Sequence, residues 1–258
     1  MQRSFFPGNV DYDGSMSRGF NSGRALSSHS LAVWRAALRP YICQASNILD
    51  LGSGTGRFAT LIAEWFGTAV IGVEPARGMR EVAAASGKHA NVFYVGGRAE
   101  QVPLRGKSVS AALLSNVYHH VTDRPSCAAE LRRILKPEGR VLIRGAFAGR
   151  LGEITLFDHF PEAKAVCEQF PTMEETVQTF TDCGFKFETI ERVIQQTCSN
   201  LKELAARTRL RADTTLAMMA DHEFVSRQDA LERAAADETK PTAIVETLDL
   251  LVLRKADG

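Results

Sequence analysis

The stretch that most constrains this chain is Ile48-Leu49-Asp50-Leu51-Gly52-Ser53-Gly54-Thr55-Gly56. An apolar run ends in an acid and gives way to three glycines at alternate positions, a spacing that lets backbone approach a ligand and adopt conformations closed to other residues. Phe58, Leu61, Ile62 and Trp65 then fall at i, i+3, i+4 and i+7, one helical stripe able to cover a sheet, and Gly67 ends it. Strand, glycine turn and helix follow one another directly, so the helix N-terminus presents outward N–H groups beside the turn. Val70-Ile71-Gly72-Val73-Glu74 is a second apolar strand. Its terminal carboxylate comes 18 residues after Gly56, the place where a ribose diol would be held.

From about residue 46 to 147 short β-branched or Leu-rich runs alternate with helical patterns, which predicts βαβ units on a parallel sheet. The candidate strands are Asn47–Leu51, Ala69–Glu74, Asn91–Gly96, Ala111–Asn116 and Arg140–Ala146. Cys127, Leu131, Ile134 and Leu135 form a helical stripe, and Lys136-Pro137-Glu138-Gly139 reads as its stop and a turn into the next strand. Thr172-x-x-Glu175 is a capping box for a helix that Gly184 closes, with a strand from Phe185 to about Val193 after it. Residues 1–45, with Tyr12, Arg18, Arg24 and a helix around Leu31–Leu38, and residues 199–240, with one or two helices, are expected over the rim of the sheet. The run from Glu246 to Arg254 is apolar enough for a buried strand that ends the sheet. The domain plan is an N-terminal cap over 1–45, an α/β core over 46–198, a helical cap insertion over 199–240 and a final core strand in 241–258.

A nicotinamide dinucleotide fingerprint also pairs glycines with a strand-end acid, but its pattern is GxGxxG. Here the third-glycine position holds Arg57, with Gly56 one place too early. Asp50 at the mouth of the turn would repel a pyrophosphate and favour a ligand with ammonium and sulfonium charges.

These residues resemble the class I S-adenosylmethionine-dependent methyltransferases, in particular the small-molecule branch similar to the quinone-biosynthesis methyltransferases. The resemblance is clear from about Tyr12 to Val141 and looser beyond. It implies a doubly wound, mainly parallel seven-stranded sheet of the Rossmann-like methyltransferase type with a helical cap, and S-adenosylmethionine as cofactor, leaving as S-adenosylhomocysteine. Asp50, Gly52, Ser53, Gly54 and Gly56 match the motif that lies against the methionine part. Glu74 matches the acid that takes both ribose hydroxyls, and Pro75 follows it. Met79 matches a position that packs on the adenine face, and Ala99 and Glu100 match the pair that reads the adenine edge. Ser115 and Asn116 look like the strand-four end beneath the transferable methyl, with His119 and His120 just beyond as candidate proton-transfer groups. Tyr12 and Arg24 lie in the segment that presents groups to the cofactor carboxylate. Arg98 and Ser110 stand where this branch commonly has acids, and the link Pro103–Ser108 is too short for a full helix.

The implied reaction is methyl transfer to oxygen, nitrogen or carbon of a small molecule, in a secondary-metabolic setting. The alternatives are another reaction of the same cofactor such as intramolecular cyclisation, methylation of RNA or protein, and a cofactor-binding sensor without turnover. With 31 Lys plus Arg against 30 Asp plus Glu the net charge is +1, so no whole-chain field favours nucleic acid or a membrane surface. The basic run Lys202, Arg207, Arg209, Arg211 reads as a solvated helix face or a clamp for an acidic group. The N-terminal residues show no secretory signal and no apolar run approaches the roughly 20 residues of a membrane span. Cys43, Cys127, Cys167, Cys183 and Cys198 form no CxxC pair and the histidines no metal-binding set, so free thiols, a cytoplasmic location and no metal are expected. The expected partner is a small-molecule acceptor, with the chain acting as a monomer or homodimer.

Overall fold

The computed structural model describes residues 12–13, 20–42, 46–86 and 89–256; Arg18 and Cys43 lie outside them. Seven strands form one sheet: β1 Asn47–Leu51, β2 Ala69–Val73, β3 Val92–Val95, β4 Val109–Ser115, β5 Leu135–Gly145, β6 Phe185–Cys198 and β7 Ile244–Lys255. Their order is β3-β2-β1-β4-β5-β7-β6, with β7 antiparallel to both of its neighbours and the pairings from β3 to β5 parallel. The chain reverses direction across the sheet between β1 and β4, and that switch point is where the ends of β1 and β4 part to leave a crevice.

Alternation along the strands feeds two separate cores. Leu49 and Leu51 of β1 join Leu114, Ile143 and Leu251 on one face, beneath α4 (Arg124–Ile134) and α7 (Met173–Asp182). Ile48 joins Val70, Leu113, Leu142 and Leu250 on the other, beneath α1 (Ser28–Ile42) and α2 (Arg57–Phe66). The α2 stripe buries Phe58 and Ile62, and Gly67 caps the helix at φ 65°. In α1, Trp34, Leu38 and Ile42 are spaced by four and fully buried. The capping box at Thr172 and Glu175 is present, each side chain taking the other's backbone N–H. α3 (Arg77–Ala85) connects β2 to β3.

A third cluster lies above the carboxyl ends of the strands. It is built by α5 (Leu156–His159), α6 (Pro161–Cys167), α8 (Leu201–Thr208), α9 (Thr214–Ala217) and α10 (Asp221–Ala236), with Phe160, Leu204, Leu216, Phe224 and Leu231 inside it. Cys198 and Ile244, at the ends of β6 and β7, belong to the same cluster.

Four expectations are corrected. The region 199–240 holds three helices, because Asp213 starts a short one between the other two. The last strand does not border the sheet: β7 lies between β5 and β6, and β6 is the edge. β6 also runs five residues past Val193, since its distal half pairs with β7 as far as Cys198↔Ile244. Finally, Lys136–Gly139 does not precede β5 but lies within it. Leu135 already pairs with Val109 and Arg140 with Ala111, and the intervening residues, with Glu138 at φ 60°, are accommodated as a bulge.

Candidate active site

The glycine turn shapes the floor of a cavity of about 400 Å3 at the switch point. Gly52, Gly54 and Gly56 all have positive φ, 70°, 55° and 77°, yet each is glycine for a different reason. A Cβ on Gly52 would stand 2.2 Å from Val117 Cγ2, and one on Gly56 would stand 2.1 Å from the Tyr94 hydroxyl. At Gly54 no atom of the described residues lies within 4 Å, so that position faces open space in the cavity. Gly56 does not line the cavity; it lets Tyr94 pack under the start of α2.

Asp50 is 1% exposed, and among the described residues neither its Oδ2 nor the buried hydroxyl of Ser53 has a hydrogen-bond partner. Burial, reinforced by the nearby Glu74 carboxylate, pushes Asp50 up to about 7. Glu74, just past β2, accepts from the Gly54 N–H at 2.9 Å and from the Ala76 N–H at 2.9 Å, and burial raises it. Arg80 donates to the carbonyls of Glu74 and Pro75 and so fixes this corner. Pro75, Met79, Ala99 and Glu100 line the same end of the cavity. Glu100 accepts from Thr122 Oγ1 at 3.1 Å and approaches Arg98 at 3.7 Å.

At the other end, Ser115 closes β4 and Asn116 turns the chain at φ 53°, a conformation asparagine tolerates better than most residues. With its amide oxygen facing the guanidiniums, Asn116 accepts from Arg24 Nη2 at 2.8 Å and from Arg144 Nη1 at 3.0 Å. His119 stacks flat on Phe170 with ring centres 4.1 Å apart. His120 Nε2 lies 3.0 Å from the Tyr12 hydroxyl and 3.3 Å from Thr214 Oγ1. Burial, with Arg24 close by, drops His120 to about 4, and His119 falls well below its usual value. Both rings are therefore neutral at physiological pH.

The roof is held by cross-links between the N-terminal segment and the cap. Tyr12 bonds Thr214 at 2.7 Å, Arg24 pairs with Asp213, and Gly23 packs tightly on Ala212. Ile154, Leu156, Phe157, Cys167, Phe170 and Leu248 give this end of the cavity an apolar wall. Sequence reasoning missed Asp213, Thr214, Val117 and Phe170. Asp213-Thr-Thr has the look of a helix N-cap, but nothing local reveals that the cap sets it over β4. The expected basic run is largely spent inside the cap, as Arg207 pairs with Glu203, Arg209 with Glu232 and Arg211 with Asp221.

Among the described residues no cluster of histidine, cysteine or acid could hold a metal, and no helix is long and apolar enough to cross a membrane. The four described cysteines are unpaired.

A glycine turn after β1, an acid after β2 and a cavity at the switch point are the arrangement of a class I methyltransferase, and the comparisons with known proteins agree. Residues 49–143 match the methyltransferase domain family. The chain is 33% identical over 139 residues to an uncharacterized methyltransferase of Mycobacterium tuberculosis, covering 50% of this chain and 56% of that one. It is 38% identical over 96 residues to a ubiquinone/menaquinone biosynthesis C-methyltransferase of Rubrivivax gelatinosus, covering 37% and 38%. The chain thus spans little more than half the length of the curated relatives it matches. Among solved structures, a candidate methyltransferase from an antibiotic biosynthesis pathway of Anabaena variabilis superposes with a TM-score of 0.69 at 20% identity, over 85% of this chain and 95% of that one.

Proposed function

We propose that this chain transfers a methyl group from S-adenosylmethionine to a small-molecule acceptor. The observation that carries this is one continuous cavity that runs from Glu74 and Glu100, over the Gly52–Gly54 turn, to the end of β4 and an apolar chamber under the cap. The residues present fit the cofactor. Asp50 and Ser53 offer buried polar atoms without partners among the described residues, Gly54 leaves open the space a side chain would fill, and Glu74, which accepts one backbone N–H on each carboxylate oxygen, keeps a further lone pair on each. When bound, the cofactor supplies an electrophilic methyl on a sulfonium.

In this reading Glu74 accepts from the ribose diol, with Pro75 and Met79 against the adenine and Ala99 and Glu100 at its edge. Gly52, Ser53 and Gly54 flank the methionine part, with Gly56 shaping the turn, and Asp50 faces the ammonium. Tyr12 and Arg24 reach the carboxylate, and Ser115 and Asn116 border the methyl. The core is 46–198 with the final strand of 241–258 and α1 packed on its second face; Tyr12, the stretch around Arg24 and segment 199–240 roof it. An in-line displacement depends chiefly on alignment, which in well-oriented cases contributes roughly 7–11 kcal/mol. The roof excludes water and sets the acceptor's pose. Both histidines are neutral, and of the two His120 is the better placed to take a proton: its Nε2 lies within hydrogen-bond reach of the Tyr12 and Thr214 hydroxyls, whereas the His119 ring is stacked on Phe170. Asn116 and His120 both line open cavity, which supports turnover over a closed sensor, and the internal pairing of the basic run argues against an RNA substrate.

The test supplies methyl-labelled S-adenosylmethionine to the purified protein together with fractionated extract. Label in a small-molecule fraction is expected. Label in RNA or protein, or in nothing despite measured binding of S-adenosylhomocysteine, overturns the reading.

A further inference from the structure

Beneath the cap a second, smaller cavity of about 70 Å3 adjoins the first as an annex, several times the space a single water needs. Arg24, Arg57, Asn116, Leu156, Asp213 and Glu246 belong to the walls of both. None of Asp50, Gly52, Gly54 or Glu74 borders the annex, which runs instead towards β6 and the cap, past Thr197 and Leu204. It therefore leads away from the glycine turn.

Its charge is unbalanced. Arg24, Arg57, Arg144 and Arg207 face it, against the carboxylates of Asp213 and Glu246. Arg24 is paired with Asp213 and Arg207 with Glu203, while Glu246 accepts from Gln195 Nε2 at 3.0 Å. Among the described residues, Arg57 and Arg144 have no carboxylate partner. Arg57 donates to the Arg24 carbonyl. Arg144, 2% exposed, donates to Gln195 Oε1 at 2.8 Å, Ser115 Oγ at 3.2 Å and the Asn116 amide oxygen at 3.0 Å, and among the described residues its Nε has no partner. Both guanidiniums lie against the Phe58 ring, 5.6 and 4.9 Å from its centre. Burial, with repulsion from Arg24 and Arg207, pulls Arg57 down to about 10, and burial, with repulsion from Arg57 and Arg24 that the Glu246 carboxylate opposes, takes Arg144 well below the usual arginine range. Because guanidinium does not lose its proton inside proteins, a counter-charge is what relieves the strain.

We propose that the annex is an oxyanion pocket in which Arg57 and Arg144 hold a carboxylate or phosphate group of the acceptor. The substrate class follows: an acidic molecule whose apolar body lies against Phe157, Phe170 and Leu248 and whose anionic end enters the annex, where planar guanidiniums suit a planar or tetrahedral oxyanion. The word acceptor rests on the methyltransferase reading; the anion pocket does not.

Trp34 lies 4.2 Å from the Arg144 guanidinium and serves as a reporter. Inorganic phosphate is titrated into the full chain, following tryptophan fluorescence and melting temperature, with and without saturating S-adenosylhomocysteine, for the wild type, Arg57→Gln and Arg144→Gln. A saturable response is expected, at least about tenfold weaker in Arg57→Gln, lost in Arg144→Gln and unaffected by S-adenosylhomocysteine. Should Arg144→Gln not fold, Arg57→Gln, at the half-buried start of α2, carries the test. No saturable response in the wild type, or an equal one in a folded Arg57→Gln, overturns the pocket. Competition by S-adenosylhomocysteine would give the pocket to the cofactor's own carboxylate and overturn the acceptor assignment. Phosphate binding without any S-adenosylhomocysteine binding would remove the methyltransferase reading and leave the pocket standing.

Discussion

At Asp50 two costs coincide, loss of water and proximity to Glu74, and together they raise its pKa to about 7. The folded protein therefore binds more protons than the unfolded chain between about pH 4 and 7, so this residue's contribution to stability declines as pH rises through that window. A ligand ammonium beside it favours the ionised form. Affinity for S-adenosylhomocysteine should rise by up to about tenfold per pH unit below 7 and then level off, and Asp50→Asn should flatten the profile; calorimetry from pH 5.5 to 8 checks both. Glu74→Ala should weaken the same binding by about 1.5–3 kcal/mol, the scale of a hydrogen bond to a charged acceptor, and unchanged affinity would refute the placement of the ribose. Both acids are legible in the sequence, because each ends an apolar strand beside or opposite the glycine turn. Arg144 is not. An arginine in Val-Leu-Ile-Arg-Gly reads as an outward-facing residue, and the groups that bury it, Trp34, Phe58 and Gln195, come from three other elements.

Among elements, the turn between β1 and α2 was readable to the residue, but the division of labour among its glycines came only with its neighbours. Gly54→Ala meets no atom of the described residues and carries the positive-φ cost of about 1–2 kcal/mol. It should fold with a modest loss in thermal denaturation while S-adenosylhomocysteine binding falls at least about tenfold. Gly56→Ala drives a methyl into the Tyr94 ring and should lose more stability than Gly54→Ala. Equal stability losses would show that the turn relaxes. The strands up to β5 were legible because parallel strands buried on both faces read as continuous apolar runs. The place of β7 was not, since an apolar run reports burial but not which strands lie on either side of it.

Across the whole molecule, the sheet and the roof are stabilised unequally. The sheet has two continuous cores, while the roof rests on its own smaller cluster and on a few polar links to the N-terminal segment. Hydrogen exchange should show 201–236 opening before β1, β4 and β5, and Asp213→Ala should speed that opening without lowering the protection of the sheet; uniform protection would contradict a separately opening roof. The connection that makes the roof also has a consequence for how such chains diversify. β6 and β7 are hydrogen-bonded neighbours, so everything from Ser199 to Ala243 is topologically the loop of one long antiparallel hairpin. The entropy of closing a loop grows only with the logarithm of its length, and the hairpin's register is set by the two strands rather than by what joins them. A lineage can therefore lengthen, trim or exchange that loop, and with it the molecule a chain like this accepts, while the strand order beneath is inherited unchanged.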